Sequence, residues 1–231
     1  MSLSASGVDI RGMFNRIAGR YDRANRMMSA GVDVLWRRKA IGQLLAEVGE
    51  TPRLLDLGAG TLDGAIEILR RRPQARVCAA DFARNMLVAG IKKAAAAPVA
   101  AQVADAHALP YQDAVFDGAF SAFCVRNLAD LHSAMGQLRR VVRDGGRVVI
   151  LEFFRPTRRR AFWDGWYNAR VLPLLGRAVT GDAAAYRYLP ESIARFLPRG
   201  EFEALLRAAG FAKVRGDELF PGGVAAMVVA E

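Results

Sequence analysis

Only two cysteines, two histidines and no long apolar run occur in these 231 residues, and each shortage closes a class of function. Cys78 and Cys124, each inside an apolar strand-like stretch, cannot supply a zinc signature or a disulfide framework. They read as buried free thiols of a reducing, cytoplasmic protein. No stretch approaches the roughly 18 apolar residues that a bilayer-spanning helix needs. Residues 1–10 lack the apolar centre of a secretion signal. Acidic residues are also scarce: 23 Asp and Glu face 33 Lys and Arg, for a net charge of +10. That balance suits an anionic membrane surface, an anionic ligand, nucleic acid or solubility alone. Nucleic acid is not expected as a partner, because no basic strip interleaved with stacking aromatics stands apart from the fold elements. One cluster does combine charge with rings: Arg155, Arg158, Arg159 and Arg160 precede Phe162, Trp163, Trp166 and Tyr167. It suits peripheral contact with the inner face of a membrane, and equally a solvated turn before a core-packing helix.

What is present is the material of one α/β domain. An apolar fraction of 52% is enough for a sizeable core at this length. Apolar residues three or four apart predict helices over 8–21 and 35–48. From residue 53 the texture alternates. Strands are predicted at 53–57, 75–80, 99–103, within the apolar run 115–125, and at 147–153 after an Asp144-Gly145-Gly146 turn. Helices fall between them at 65–71, 85–93 and 131–142. Alternation of this kind gives a doubly wound parallel sheet covered on both faces. Residues 156–198 break the rhythm with a Pro- and aromatic-rich helical insertion. A helix at 201–209 and strands at 213–220 and 224–229 follow. The short Pro221-Gly222-Gly223 link makes that last pair antiparallel. The chain thus divides into a helical cap (1–50), a cofactor-binding core (51–155), a lid insertion (156–198) and a closing helix and strand pair (199–231).

Ligands of open parallel sheets bind beyond the carboxyl ends of the strands, where strand order reverses. The turn after the first strand contains Asp56, Gly58, Gly60, Thr61, Leu62 and Asp63. Glycine-rich turns also serve dinucleotides, so the acidic residues carry the argument. A diphosphate beside Asp56 would be repelled, whereas a sulfonium with an amino-acid tail would not. Asp56 is expected to order the loop or to reach the ammonium through water. Asp81, ending the second strand, is placed to accept from ribose hydroxyls. Asp105 after the third strand suits an adenine amino group, and Met86 suits an adenine face. Plainer readings make Asp63 a helix N-cap, Asp81 a solvated strand end and Met86 core.

Beyond this loop the sequence resembles the ubiquinone/menaquinone biosynthesis C-methyltransferase family from Phe14 onward. The likeness rests on Phe14, Ile17, Tyr21, Asp22 and Asn25, on Leu35-Trp36-Arg37, on Arg126-Asn127-Leu128 and on Leu151-Glu152-Phe153. Most selective are Tyr186-Arg187-Tyr188-Leu189-Pro190-Glu191-Ser192-Ile193 and Gly222-Gly223-Val224-Ala225. The resemblance implies a Rossmann-like class I methyltransferase fold, with seven mostly parallel strands and the last antiparallel. It also implies an S-adenosylmethionine cofactor and carbon methylation of a prenylated hydroquinone. Donor contacts carry over to Thr61, Asp81, Asp105 and Ala106. The chain departs from the family at Leu62 (commonly glycine), Ala122 (usually a serine lining the donor site) and Cys124 (a small glycine). Ser121 would point to the opposite face of its strand from Ala122.

Carbon methylation requires an electron-rich ring carbon in line with the sulfonium methyl, favoured by phenolate formation. His107 and His132 read as surface or capping residues. In the family the pair matching Arg126 and Asn127 faces the substrate. Arg126 is therefore expected to stabilise a developing phenolate or activate a water, with Asn127 orienting a hydroxyl. The other reading makes Arg126 a structural ion pair with Glu152 or Asp22. Tyr186 is a further catalytic candidate, and Tyr21 and Tyr188 are candidate substrate contacts. A methyltransferase for a soluble aromatic metabolite, a non-catalytic subunit of quinone synthesis and a homodimer are all compatible with these residues.

Overall fold

A computed structural model describes residues 9–29, 31–95, 97–156, 183–219 and 225–231. The basic-aromatic cluster, apart from Arg155, and the Pro221-Gly222-Gly223 link lie outside these residues. The sheet has seven strands: β1 (Arg53–Leu57), β2 (Arg76–Asp81), β3 (Val99–Val103), β4 (Phe116–Ala122), β5 (Val142–Phe153), β6 (Val214–Glu218) and β7 (Ala225–Ala230). Their order is β3-β2-β1-β4-β5-β7-β6. The five on the β3 side run parallel, and β7 runs antiparallel to both β5 and β6, as the sequence pattern predicts. Strand order reverses between β1 and β4, so the loops that follow them frame a crevice.

Strand residues sort by parity onto two cores. Leu55, Leu57, Val148, Ile150, Ala226 and Val228 pack with α6 (Leu131–Val141) and a later helix, Arg199–Ala208. Leu54, Val149, Leu151 and Met227 pack on the other face. There they meet Ile41 and Leu44 of α3 (Val32–Leu45), Ile68 of α4 (Asp63–Arg71) and Leu87 of α5 (Arg84–Ala94). No helix of the described residues is long and apolar enough to cross a membrane.

Most element ends shift by one to three residues from the periodicity reading, and two elements are interrupted. The first predicted helix is broken: α1 (Ile10–Ile17) gives way to a 3-10 turn at Ala18–Arg20 before α2 (Tyr21–Ser29). Gly19, a poor helix former, sits in that turn. Asp144-Gly145-Gly146 does not precede β5 but interrupts it. Register jumps from Phe116↔Val142 to Gly118↔Arg147, and Gly145 adopts φ 69°. The described part of the insertion includes α7 (Ala183–Arg195), which bears the Tyr186–Ile193 run and carries Pro190 inside it. The closing helix Arg199–Ala208 is α8.

Candidate active site

The crevice at the strand reversal opens to solvent, beyond the carboxyl ends of the strands where such sheets bind their ligands. Its floor is the glycine turn. Gly58 and Gly60 take φ 68° and 53°, in the left-handed region that glycine adopts without a Cβ clash. The amides of Gly58 and Ala59 both donate to the Ala80 carbonyl, at 2.8 and 3.1 Å. Asp81 ties the turn to the next helix. Its Oδ2 accepts from the Gly60 amide at 2.8 Å, and its Oδ1 from the Ala83 amide at 2.8 Å. Burial raises the Asp81 carboxyl above its usual range, and these two amides act against that rise. Each carboxylate oxygen keeps a lone pair for a ligand diol. Met86, 2% exposed, and Ala106 complete this wall. A purine nucleoside with a cationic tail fits such a donor set.

Two predicted donor contacts lie outside the crevice wall. Asp56 is buried beneath it, where its Oδ2 accepts from the Ala65 amide at 2.8 Å in the first turn of α4. A Cβ on Gly64 would stand 2.6 Å from that oxygen, so glycine clears the contact. Burial pushes the Asp56 carboxyl up to about 7 despite that hydrogen bond. Of the two roles expected, Asp56 fills the first: it orders the turn. The Thr61 hydroxyl donates to Asp22 and accepts from Lys93 Nζ at 3.1 Å. Lys93 also pairs with Asp22 at 2.7 Å and Asp63 at 2.6 Å. Thr61 thus fastens α2 of the cap to the turn.

The family departures are accommodated differently. Leu62 adopts φ 66° and is fully buried in the core, its side chain against Gly90 rather than in the crevice. Its bulk is spent on packing. Ala122 does line the crevice, and the Ser121 hydroxyl bonds the Leu57 carbonyl at 2.8 Å, so it is no substitute. Cys124 sulfur sits over Gly58, and burial raises its thiol far above the usual range.

Past Cys124 the chain makes a 3-10 turn, Val125–Asn127. Arg126 is not among the residues that line the crevice. Its Nη1 meets Glu152 at 2.6 Å, with side chains 7% and 0% exposed, and also reaches the Phe123 carbonyl at 2.9 Å. Nε donates to Ser192 of α7 at 3.2 Å. The ion pair with Glu152 is therefore the reading realised for Arg126, while Asp22 pairs with Lys93. Asn127 does line the crevice. Its Oδ1 accepts from the Tyr188 hydroxyl at 2.8 Å and its Nδ2 donates to the Phe123 carbonyl at 3.3 Å. Tyr21 lines the opposite side, edge-on to Phe14, and burial raises its phenol. The Tyr186 side chain lies outside the described residues. Phe14, Phe82, Phe123, Leu128 and His107 also line the crevice. Of these, Phe14 and Leu128 stood within the resembling motifs, and Phe82 directly follows Asp81.

A family model described as the ubiE/COQ5 methyltransferase family matches residues 3–231. The chain belongs to that family. It is a methyltransferase, and S-adenosylmethionine is its methyl donor. A demethylmenaquinone methyltransferase of Thermus thermophilus is 44% identical over 223 residues, covering 95% of this chain and 99% of the relative. A ubiquinone/menaquinone biosynthesis C-methyltransferase of Geotalea uraniireducens is 36% identical, covering 99% and 98%. Among solved structures, an S-adenosylmethionine-dependent methyltransferase of Thermotoga maritima superposes with a TM-score of 0.68 at 18% identity, over 96% of this chain and 99% of that one. The CurJ carbon methyltransferase matches with a TM-score of 0.68 at 17% identity, over 97% and 61%. At these identities the structures establish the fold of this family member.

Proposed function

We propose that this chain, acting as one domain, methylates a ring carbon of a prenylated hydroquinone in respiratory quinone biosynthesis. The observation that carries the reading is Asn127, which lines the crevice with Phe14, Tyr21, Phe82 and Phe123 and accepts a hydrogen bond from the buried Tyr188 behind it. Its family relatives named for menaquinone and ubiquinone synthesis support the same substrate class. S-adenosylmethionine, held by Asp81, Met86, Asp105 and Ala106, supplies an electrophilic methyl group when bound.

The protein's share is alignment and charge. Tyr188 donates its proton to Asn127, so its oxygen lone pairs remain to accept a substrate hydroxyl. Burial keeps the Tyr188 phenol protonated. Accepting that hydrogen bond enriches the ring carbon beside the substrate hydroxyl. Arg126 acts through others: with Glu152 it pins the turn that presents Asn127, and with Ser192 it seats α7 beside it. It is a positioning residue. The aromatic wall excludes water and stacks on the quinol ring.

A prenyl tail brings its substrate from lipid, so the protein visits a membrane surface. The cluster around Arg158 to Tyr167 is the contact we propose for it, and a homodimer is compatible with this arrangement. Rates on demethylmenaquinol and on the same naphthohydroquinone without its tail test the substrate. We expect the prenylated quinol to be turned over at least about tenfold more efficiently, as burial of a tail of several methylenes requires. Equal rates would favour a soluble aromatic substrate.

A further inference from the structure

His107 is used by nothing above, yet it stands in the crevice wall beside Asp105. Its ring Nδ1 lies 2.5 Å from Asp105 Oδ1, and its backbone amide donates to the same oxygen at 2.9 Å. Its Nε2 receives the backbone amide of Asp130 at 3.2 Å. An amide can only donate, so Nε2 must be the unprotonated nitrogen. The ring proton then sits on Nδ1 and points at Asp105. Asp130 is itself fixed, because its side chain caps α6 by accepting from the Ser133 amide at 3.1 Å. The imidazole therefore spans from the loop after β3 to the N-terminus of α6.

The consequence falls on Asp105, whose side chain is 62% exposed and would otherwise be free to rotate. Among the described residues, every hydrogen bond to its carboxylate falls on Oδ1. The same contacts hold its carboxyl below the usual range. Oδ2 is left as a fixed acceptor that cannot donate. We propose that His107 is a specificity-determining positioning residue. It holds Asp105 as an acceptor for the exocyclic amino group of the donor's purine and so rejects a 6-oxo purine. This rests on the donor reading of the crevice.

Calorimetric titration with S-adenosylhomocysteine and S-inosylhomocysteine, which differ at that position, tests it. The wild type should prefer the adenosyl compound by roughly tenfold or more, the scale of one charge-assisted hydrogen bond. In His107→Phe, which keeps a ring but no donor, the adenosyl compound should weaken to within about threefold of the inosyl one. Affinity for the inosyl compound should be unchanged. His107→Gln, which keeps a donor, should restore part of the preference. A full preference in His107→Phe would overturn the role of His107 and leave the donor site standing. Failure of the wild type to bind either compound would overturn both.

Discussion

At the scale of single residues, the site is decided by which atoms are missing. Gly58 has neither a Cβ nor room for one: added there, it would lie 2.1 Å from Cys124 Sγ, on a backbone at φ 68°. The Cys124 sulfur fills the space directly over Gly58. Two separable penalties follow. Gly58→Ala should destabilise by about 2–4 kcal/mol, part from the left-handed backbone and part from the overlap. Adding Cys124→Gly should recover the overlap and leave roughly 1–2 kcal/mol of backbone cost. Urea unfolding of the two single variants and the double variant measures this. Strictly additive losses would mean that the two positions do not press on each other.

At the scale of elements, α7 and the 3-10 turn after β4 form one unit through Tyr188–Asn127 and Ser192–Arg126. The sequence marked these residues but could not assign their roles. In the sequence Arg126 stood between a substrate contact and an ion pair with Glu152 or Asp22, and it is β4–β5 pairing that brings Glu152, 26 residues later on the neighbouring strand, to it. Variants should divide accordingly. Arg126→Ala strands a fully buried carboxylate, which costs roughly 3–5 kcal/mol and lowers Tm by on the order of 10 °C. Tyr188→Phe should cost only about 1–2 kcal/mol of stability, leave donor affinity close to wild type and lower kcat by about tenfold or more. A Tyr188→Phe enzyme with full kcat would remove Tyr188 from the chemistry.

Across the whole molecule, the alternation of strands and helices and the antiparallel last pair were readable because periodicity and turn residues are local signals, whereas the order of strands in the sheet is set by long-range pairing. Asp81, Met86, Asp105, Ala106, Ala122 and Asn127 reach the crevice as expected. Asp56, Thr61, Arg126 and Tyr188 do not line it, since their partners Ala65, Asp22, Lys93, Glu152 and Asn127 are set by how the elements pack. The place of Leu62 was hidden for a similar reason: on a left-handed backbone it is received by Gly90 of α5, a residue 28 positions later.

Burial of Asp56 has a global consequence. Its carboxyl, raised to about 7, holds a proton in the folded state that the unfolded chain has released above about pH 4. Folding stability contributed by this group therefore falls as pH rises from about 4, and the loss is complete above about 7. Asp56→Asn keeps an acceptor for the Ala65 amide without that charge. It should exceed the wild type in Tm at pH 8, by a margin that shrinks as pH falls and closes near pH 4. A margin independent of pH would contradict a buried carboxylate as its source.

The donor pocket stands or falls on Asp81, and calorimetric titration of S-adenosylmethionine into the wild type and Asp81→Ala is the direct measurement. The wild type should bind in the micromolar range, and binding should be lost in an Asp81→Ala protein that circular dichroism shows to be folded. Undiminished binding by that variant would contradict it.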